Sequence, residues 1–200
     1  MTYLELVNRV LVRLRENLVT TVEETPYSQL IGELVNVVKR DVEDSWDWNT
    51  LRGTITLLVG ADQFNWALTG STTRMRVLDV INDTSNTFIT NKSSSWFNQQ
   101  FLFPDSVQHG APTFYNLNGV TATGDNPIDL YPVPDADYII RVNGVYPQAD
   151  LVGDGDVIQV NGQLIVEGAL SRAMSERGVD GGYQEQESRF IKMLGDLISI

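Results

Sequence analysis

The chain contains no cysteine, a single histidine and no glutamate between Glu43 and Glu167. Without cysteine, disulfides, zinc-thiolate centres and thiol nucleophiles are excluded. The one histidine, His109, sits beside Gly110 in a loop-like stretch. No serine lies in a G-x-S-x-G elbow, so a Ser-His-Asp triad has no local support. Basic residues are scarce, 14 Lys and Arg against 26 Asp and Glu, giving a net charge of −12. No basic stripe is present to release counterions from a nucleic-acid backbone. No apolar run approaches the ~20 residues of a membrane helix. Glu5, Arg9, Arg13 and Arg15 interrupt the stretch where a signal peptide would carry its apolar core, so the chain reads as cytoplasmic at synthesis and no membrane partner is expected.

What remains is an ordinary globular composition: 200 residues, 42% hydrophobic and 20% charged. A chain of this length buries roughly 70% of its unfolded surface and needs no metal or cross-link to hold a core. Residues 53–150 hold nine acids, all aspartate, and six of the seven prolines. Glutamate suits helix interiors, whereas aspartate and proline suit turns and caps. The reading is an α+β protein. Residues 1–52 supply N-terminal helices of a bundle, residues 53–150 an inserted β-rich domain (sandwich or barrel-like), and residues 151–200 the C-terminal helices that complete the bundle.

Thr2 and Glu5 have capping-box spacing, and Leu4, Val7, Leu11, Leu14 and Leu18 step along one face of a first helix. Thr25 caps a second, with Pro26 at its first position. There Ile31, Val35, Val38, Val42 and Trp46 form one face, which Leu30, Leu34 and Val37 widen. Residues 164–177 hold Gly168, Ala169 and Ala173, small enough for close packing. Gly178 to Gly182 breaks this helix, and Tyr183, Phe190, Leu194 and Leu197 mark the last one.

In the middle, Thr54 to Val59 and the alternating Phe64, Trp66 and Leu68 predict a hairpin about Gly60-Ala61-Asp62. Arg76 to Ile81 and Thr87 to Thr90 predict a second, and residues 114–117, 127–131 and 138–146 read as further strands. The Pro132/Pro134 pair must lie at an edge or in a connection, because proline cannot donate to a ladder. Residues 93–103 fit a short helix or a loop.

No chemistry-bearing motif survives inspection. Asp154-Gly155-Asp156 is similar to the start of a calcium loop, but Ile158 stands where a ligand belongs and no closing glutamate follows. Gly153 and Gly155 fail as a dinucleotide fingerprint at the same position. No catalytic, metal or cofactor site is expected. Two apolar features stand out as candidate interfaces instead. Trp96, Phe97, Phe101 and Phe103 crowd eight residues and either tuck under the β-domain or dock on a partner. Leu197, Ile198 and Ile200 end the chain with more apolar surface than one helix face buries, and either grip a partner or close the core. Trp46 and Trp48 fill a junction or anchor an interface.

Several ordered blocks carry a family likeness: TYLELVNRVLVRLRE from Thr2, VEDSWDWNTLR from Val42, RVLDVINDT from Arg76, the strand-rich run from Gly110 to Leu151, and ALSRAMSERGVDGG from Ala169. Together they resemble the head-to-tail adaptor, or connector, proteins of tailed bacteriophages, called tail tubular protein A in short-tailed phages. The resemblance implies a structural virion protein at the head-tail junction, not an enzyme. Its partners would be further copies in a dodecameric ring, the portal protein and the tail nozzle protein. DNA would pass through the channel without specific binding. Twelve copies at −12 would give a formal total of roughly −144, a field that repels phosphate. Arg9, Arg13, Arg172 and Arg177 would face acids on a neighbour or remain solvated. The alternatives are a virion-associated carbohydrate-binding or hydrolytic module, which needs paired carboxylates, and a transient assembly chaperone.

Overall fold

The computed structural model describes residues 1–103, 106–178 and 182–199. Helix α1 (Tyr3–Arg13) begins at a complete capping box: Thr2 Oγ1 accepts from Glu5 N, and Glu5 Oε2 accepts from Thr2 N. Helix α2 (Pro26–Ser45) has the same device with Ser28 in place of glutamate and Pro26 in the first turn. Helices α4 (Gly162–Glu176), capped by Asn161, and α5 (Gly182–Ile198) come after the β-rich region. The chain divides into two units, Met1–Leu51 with Pro147–Ile200, and Arg52–Tyr146.

In the helical unit α4 packs against α1, α2 and α5. It is apolar nearly all round, with Leu164, Ile165, Val166, Ala169, Leu170 and Ala173 buried, as a helix with neighbours on several sides must be. Gly168 is required by this packing. A Cβ there would lie 2.6 Å from Val38 Cγ1 and 2.9 Å from Phe190. On α2 the inner face is Ile31, Val35, Val38 and Val42, all fully buried.

Two expectations about these helices fail. The buried face of α1 is Tyr3, Leu6, Val7, Val10 and Leu11, whereas Leu4 and Leu14 are half-buried and Leu18 is 63% exposed. The helix stops before the expected stripe is complete. Leu14 is its C-cap, Arg15 takes φ 61°, and Arg15 N and Glu16 N turn back to Val12 O and Leu11 O. This is a Schellman closure with arginine where glycine is usual. Trp46 likewise leaves the α2 face, because it is the extended C-cap of that helix and is 49% exposed.

The β unit is a sandwich of two four-stranded sheets. One has the order β1 (Arg52–Val59), β8 (Tyr138–Val145), β3 (Arg76–Asn82), β4 (Thr87–Phe88), antiparallel throughout. The other runs β2 (Asn65–Leu68), β7 (Asn126–Tyr131), β6 (Phe114–Leu117), β5 (Thr90–Asn91), with β5 and β6 parallel. Val59, Val80, Ile140 and Val142 from the first meet Leu68, Ile128 and Leu130 from the second in one core.

The predicted β1–β2 hairpin does not form. β1 pairs with β8 and β2 with β7, so residues 60–64 cross between sheets. Asp62, at φ 61°, donates its N–H to Pro134 O, and Phe64 O accepts from Leu130 N, tying the segment to β7 and to the β7–β8 connection. The crossing lets the apolar faces of β1 and β2 bury each other across the core. The β3–β4 hairpin does form, turning at Asn86. Its second strand ends at Phe88, and Thr90–Asn91 joins the other sheet. Pro132 and Pro134 lie in the β7–β8 connection, with a cis Tyr131–Pro132 bond.

Candidate interface surfaces

Residues 94–101 are helical. α3 (Ser94–Phe101) is capped by Ser93 Oγ, which accepts from Trp96 N. Its aromatic residues build a cluster on the second sheet. Trp96 meets Phe114, Phe97 and Tyr131 edge-on at centroid distances of 4.9, 5.4 and 5.5 Å. Phe101 packs 5.8 Å from Tyr131 and 4.7 Å from Phe64. Lys92 Nζ lies 5.1 Å from the Phe114 ring centroid, over its face. Edge-on pairs of this kind add to the area they bury. Phe97 is buried, and Trp96 and Phe101 are half-buried. Leu102 and Phe103, at the end of α3, are different: they are 66% and 68% exposed, and Phe64, which packs on Phe101, is 40% exposed.

On α5, Gln186 and Phe190 are buried, while Leu197 and Ile198 are half-buried and Ile191 is exposed. Ile200 lies outside the described residues. Trp48 is half-buried and its Nε1–H donates to Val42 O at 2.6 Å.

The charged groups are organised within the chain. Glu167 is a buried carboxylate that accepts from Arg13 Nη1 at 2.6 Å, from Gln163 Nε2 at 2.6 Å, and from Gln186 Nε2. Burial alone would raise its pKa, but these donors outweigh that and hold it below the usual glutamate value. Arg172 pairs with Asp41. Arg177 pairs with Glu16, donates to Tyr27 Oη at 2.7 Å and stacks on that ring. Of the four arginines read as facing a neighbour or remaining solvated, Arg13, Arg172 and Arg177 have partners within the chain, and Arg9 is exposed. Lys39 and Glu43 form a fully buried ion pair at 3.1 Å, and Lys39 Nζ also donates to Gln148 O.

The acidic turn ahead of α4 is structural. Asp156 accepts from Val152 N and Gly153 N at 2.8 Å each, which lowers its pKa, and Asp154 Oδ1 accepts from Val22 N at 2.9 Å. Tyr3, buried near Glu33, Asp150 and Asp154, is pushed up to about 12. In the β unit, Asp79 accepts from Asn143, Asp125 from Gly70 N and Asp83 from Arg141. His109 Nδ1 lies 3.3 Å from Asp62 Oδ1 in a half-exposed loop. Among the described residues no group of three or more His, Asp or Glu side chains could hold a metal ion, and no helix is long and apolar enough to cross a membrane.

One apolar groove runs along α1, lined by Leu4, Val12, Leu18 and Val166 and rimmed by Arg9 and Arg13, with a volume of about 570 Å³. Periodicity alone missed it, because Leu4 and Leu18 read as core.

The family model described as SU10 adaptor protein matches residues 1–199. No curated protein matches the chain.

Proposed function

Since the chain belongs to the SU10 adaptor protein family, a family of phage head-to-tail adaptors, we propose that it forms a ring, dodecameric as in tail tubular protein A-like adaptors, between the portal and the tail nozzle of a virion. The observation that carries this reading is the extent of the match, which takes in both the helical and the β unit. The family is structural and not enzymatic. Its members act by presenting surfaces, and two surfaces here suit that role.

The first is the end of α5, where Leu197 and Ile198, with Ile200 beyond them, dock on the portal. The second is the exposed end of the α3 cluster, Leu102 and Phe103, which meets a neighbouring copy or the nozzle. Trp96, Phe97 and Phe101 anchor that patch from beneath by packing on Phe114 and Tyr131. The net charge of −12 per copy supports a channel through which DNA slides without sticking. The arrangement 1–52, 53–150 and 151–200, with an inserted β domain carried by a helical bundle, is the form in which we expect the ring subunit to work.

Deleting the gene tests the reading. Capsids should package DNA but fail to retain it or acquire tails; normally tailed, infectious particles would refute it. The docking role of α5 has its own test. A chain lacking residues 197–200 should keep nearly the full-length melting temperature and fail to bind isolated portal. Loss of folding, or normal portal binding, would refute the docking role.

A further inference from the structure

The edges of the two sheets are unequally guarded. β4 and β5, two residues each, blunt one edge of each sheet, a common defence against unwanted pairing. β2 has four residues, whereas β1 has eight, Arg-Gly-Thr-Ile-Thr-Leu-Leu-Val, and β8 is its one neighbour among the described residues. β1 carries no proline, its register with β8 is unbroken, and Arg52 is its only charge. Its free main-chain groups are a template for another strand. The core is also incompletely covered along this edge: Ile55 and Leu57 pack against it yet remain half-buried.

The charges at the two ends of the edge are opposite. Arg52 stands exposed at one end, and at the other Asp62, Asp135 and Asp137 are exposed. Asp137 lies against Gly60, where a Cβ would sit 3.7 Å from its Oδ1. Such an edge is complementary to itself when turned through a two-fold axis. With Thr56 on the axis, Ile55 falls opposite Leu57, Thr54 opposite Leu58, and Arg52 opposite Gly60. The absent side chain at Gly60 leaves the guanidinium a path to Asp137. A slip of one residue would set the inner face of one strand against the outer face of the other.

We propose that β1 pairs antiparallel with β1 of a second copy, so that two four-stranded sheets become one continuous sheet about Thr56. The new strand pair covers Ile55 and Leu57 and places an Arg52–Asp137 ion pair at each end. A closed two-fold contact cannot propagate around a ring, so this is a form of the free chain that opens before assembly. It stands whether or not the ring reading does. One strand pair is a small contact, of the weak class below about 1,200 Å².

The cysteine-free chain makes a single introduced thiol diagnostic. In Thr56→Cys the two thiols face each other with Cα atoms roughly 4.5–5.5 Å apart, within disulfide range. Under mild oxidation at concentrations on the order of 100 µM, Thr56→Cys should form a covalent dimer at least ~10-fold faster than Val120→Cys, a half-exposed position outside the strands. Arg52→Glu in the Thr56→Cys chain should slow the reaction, and adding Asp137→Arg should restore it. Sedimentation of the unmodified protein should show mass rising from 22.3 kDa toward twice that value with concentration. Equal cross-linking at the two cysteines, failure of the charge swap to rescue, a mass fixed at one copy, or growth beyond two copies would each overturn the proposal.

Discussion

Asn36 holds Leu151 by both of its main-chain groups: Oδ1 accepts from Leu151 N at 2.9 Å and Nδ2 donates to Leu151 O at 3.0 Å, both buried. One side chain thus replaces a ladder partner for a segment that, among the described residues, has no strand beside it. Asn8 does the same for Val19, at 2.9 Å in each direction. These two amides, one on each N-terminal helix, fix loops that would otherwise bury unpaired backbone.

Asn36→Leu should therefore destabilise the protein by about 2–4 kcal/mol, because two buried main-chain groups lose their partners at once. Asn36→Asp keeps the acceptor for Leu151 N but sets a carboxylate against Leu151 O, so it should not restore stability. Denaturant titrations of the two variants measure this directly.

Leu11 and Leu18 were expected on one buried face, yet they are 2% and 63% exposed. Leu11→Asp should cost several kcal/mol, roughly the penalty for an unpaired charge in a core. Leu18→Asp should change stability by less than about 0.5 kcal/mol. Equal melting temperatures for the two variants would contradict the termination of α1 at Leu14.

Gly168 and Gly195 are both helical glycines and should respond oppositely to alanine. At Gly168 the new methyl would press on Val38 and Phe190, forcing α4 away from its neighbours, and overpacking of this kind costs roughly 1–3 kcal/mol. At Gly195 nothing lies within 4 Å. There the helix-propensity gain stands alone, and Gly195→Ala should stabilise by up to ~1 kcal/mol. Thermal melts of both variants decide the matter.

Glu167 gives a pH signature. Its pKa is depressed in the folded protein, so the stability it contributes is present above its unfolded pKa. That contribution is lost as pH falls through the folded value. Glu167→Gln should lower stability at pH 7 and flatten the loss of stability on acidification below about pH 4.5. Tyr3 acts in the other direction. Its pKa is raised to about 12, so its contribution is full below pH 10 and is lost as pH rises toward 12. Unfolding free energy measured across both ranges, with Tyr3→Phe as the alkaline control, checks the two signs.

Local devices were legible from sequence alone, because each is completed within a few residues. The Thr2 and Thr25 caps, the Pro26 start, the small residues around Gly168 and the strands at 114–117 and 127–131 all appear where spacing and residue type put them. So does the α+β division, since glutamate marks helix and aspartate with proline marks turns. Strand partners were not legible. Alternation shows which side chains share a face but not which strand lies alongside. The true neighbour of β1 is reached only at β8, with Thr54 bonded to Asn143, 89 residues on. The pairing of Arg13 with Glu167 spans 154 residues in the same way. The aromatic run at 96–103 needed the tertiary structure most. Its composition called for burial or a partner, and only packing against Phe114 and Tyr131 divided it into an anchored part and an exposed end at Phe103.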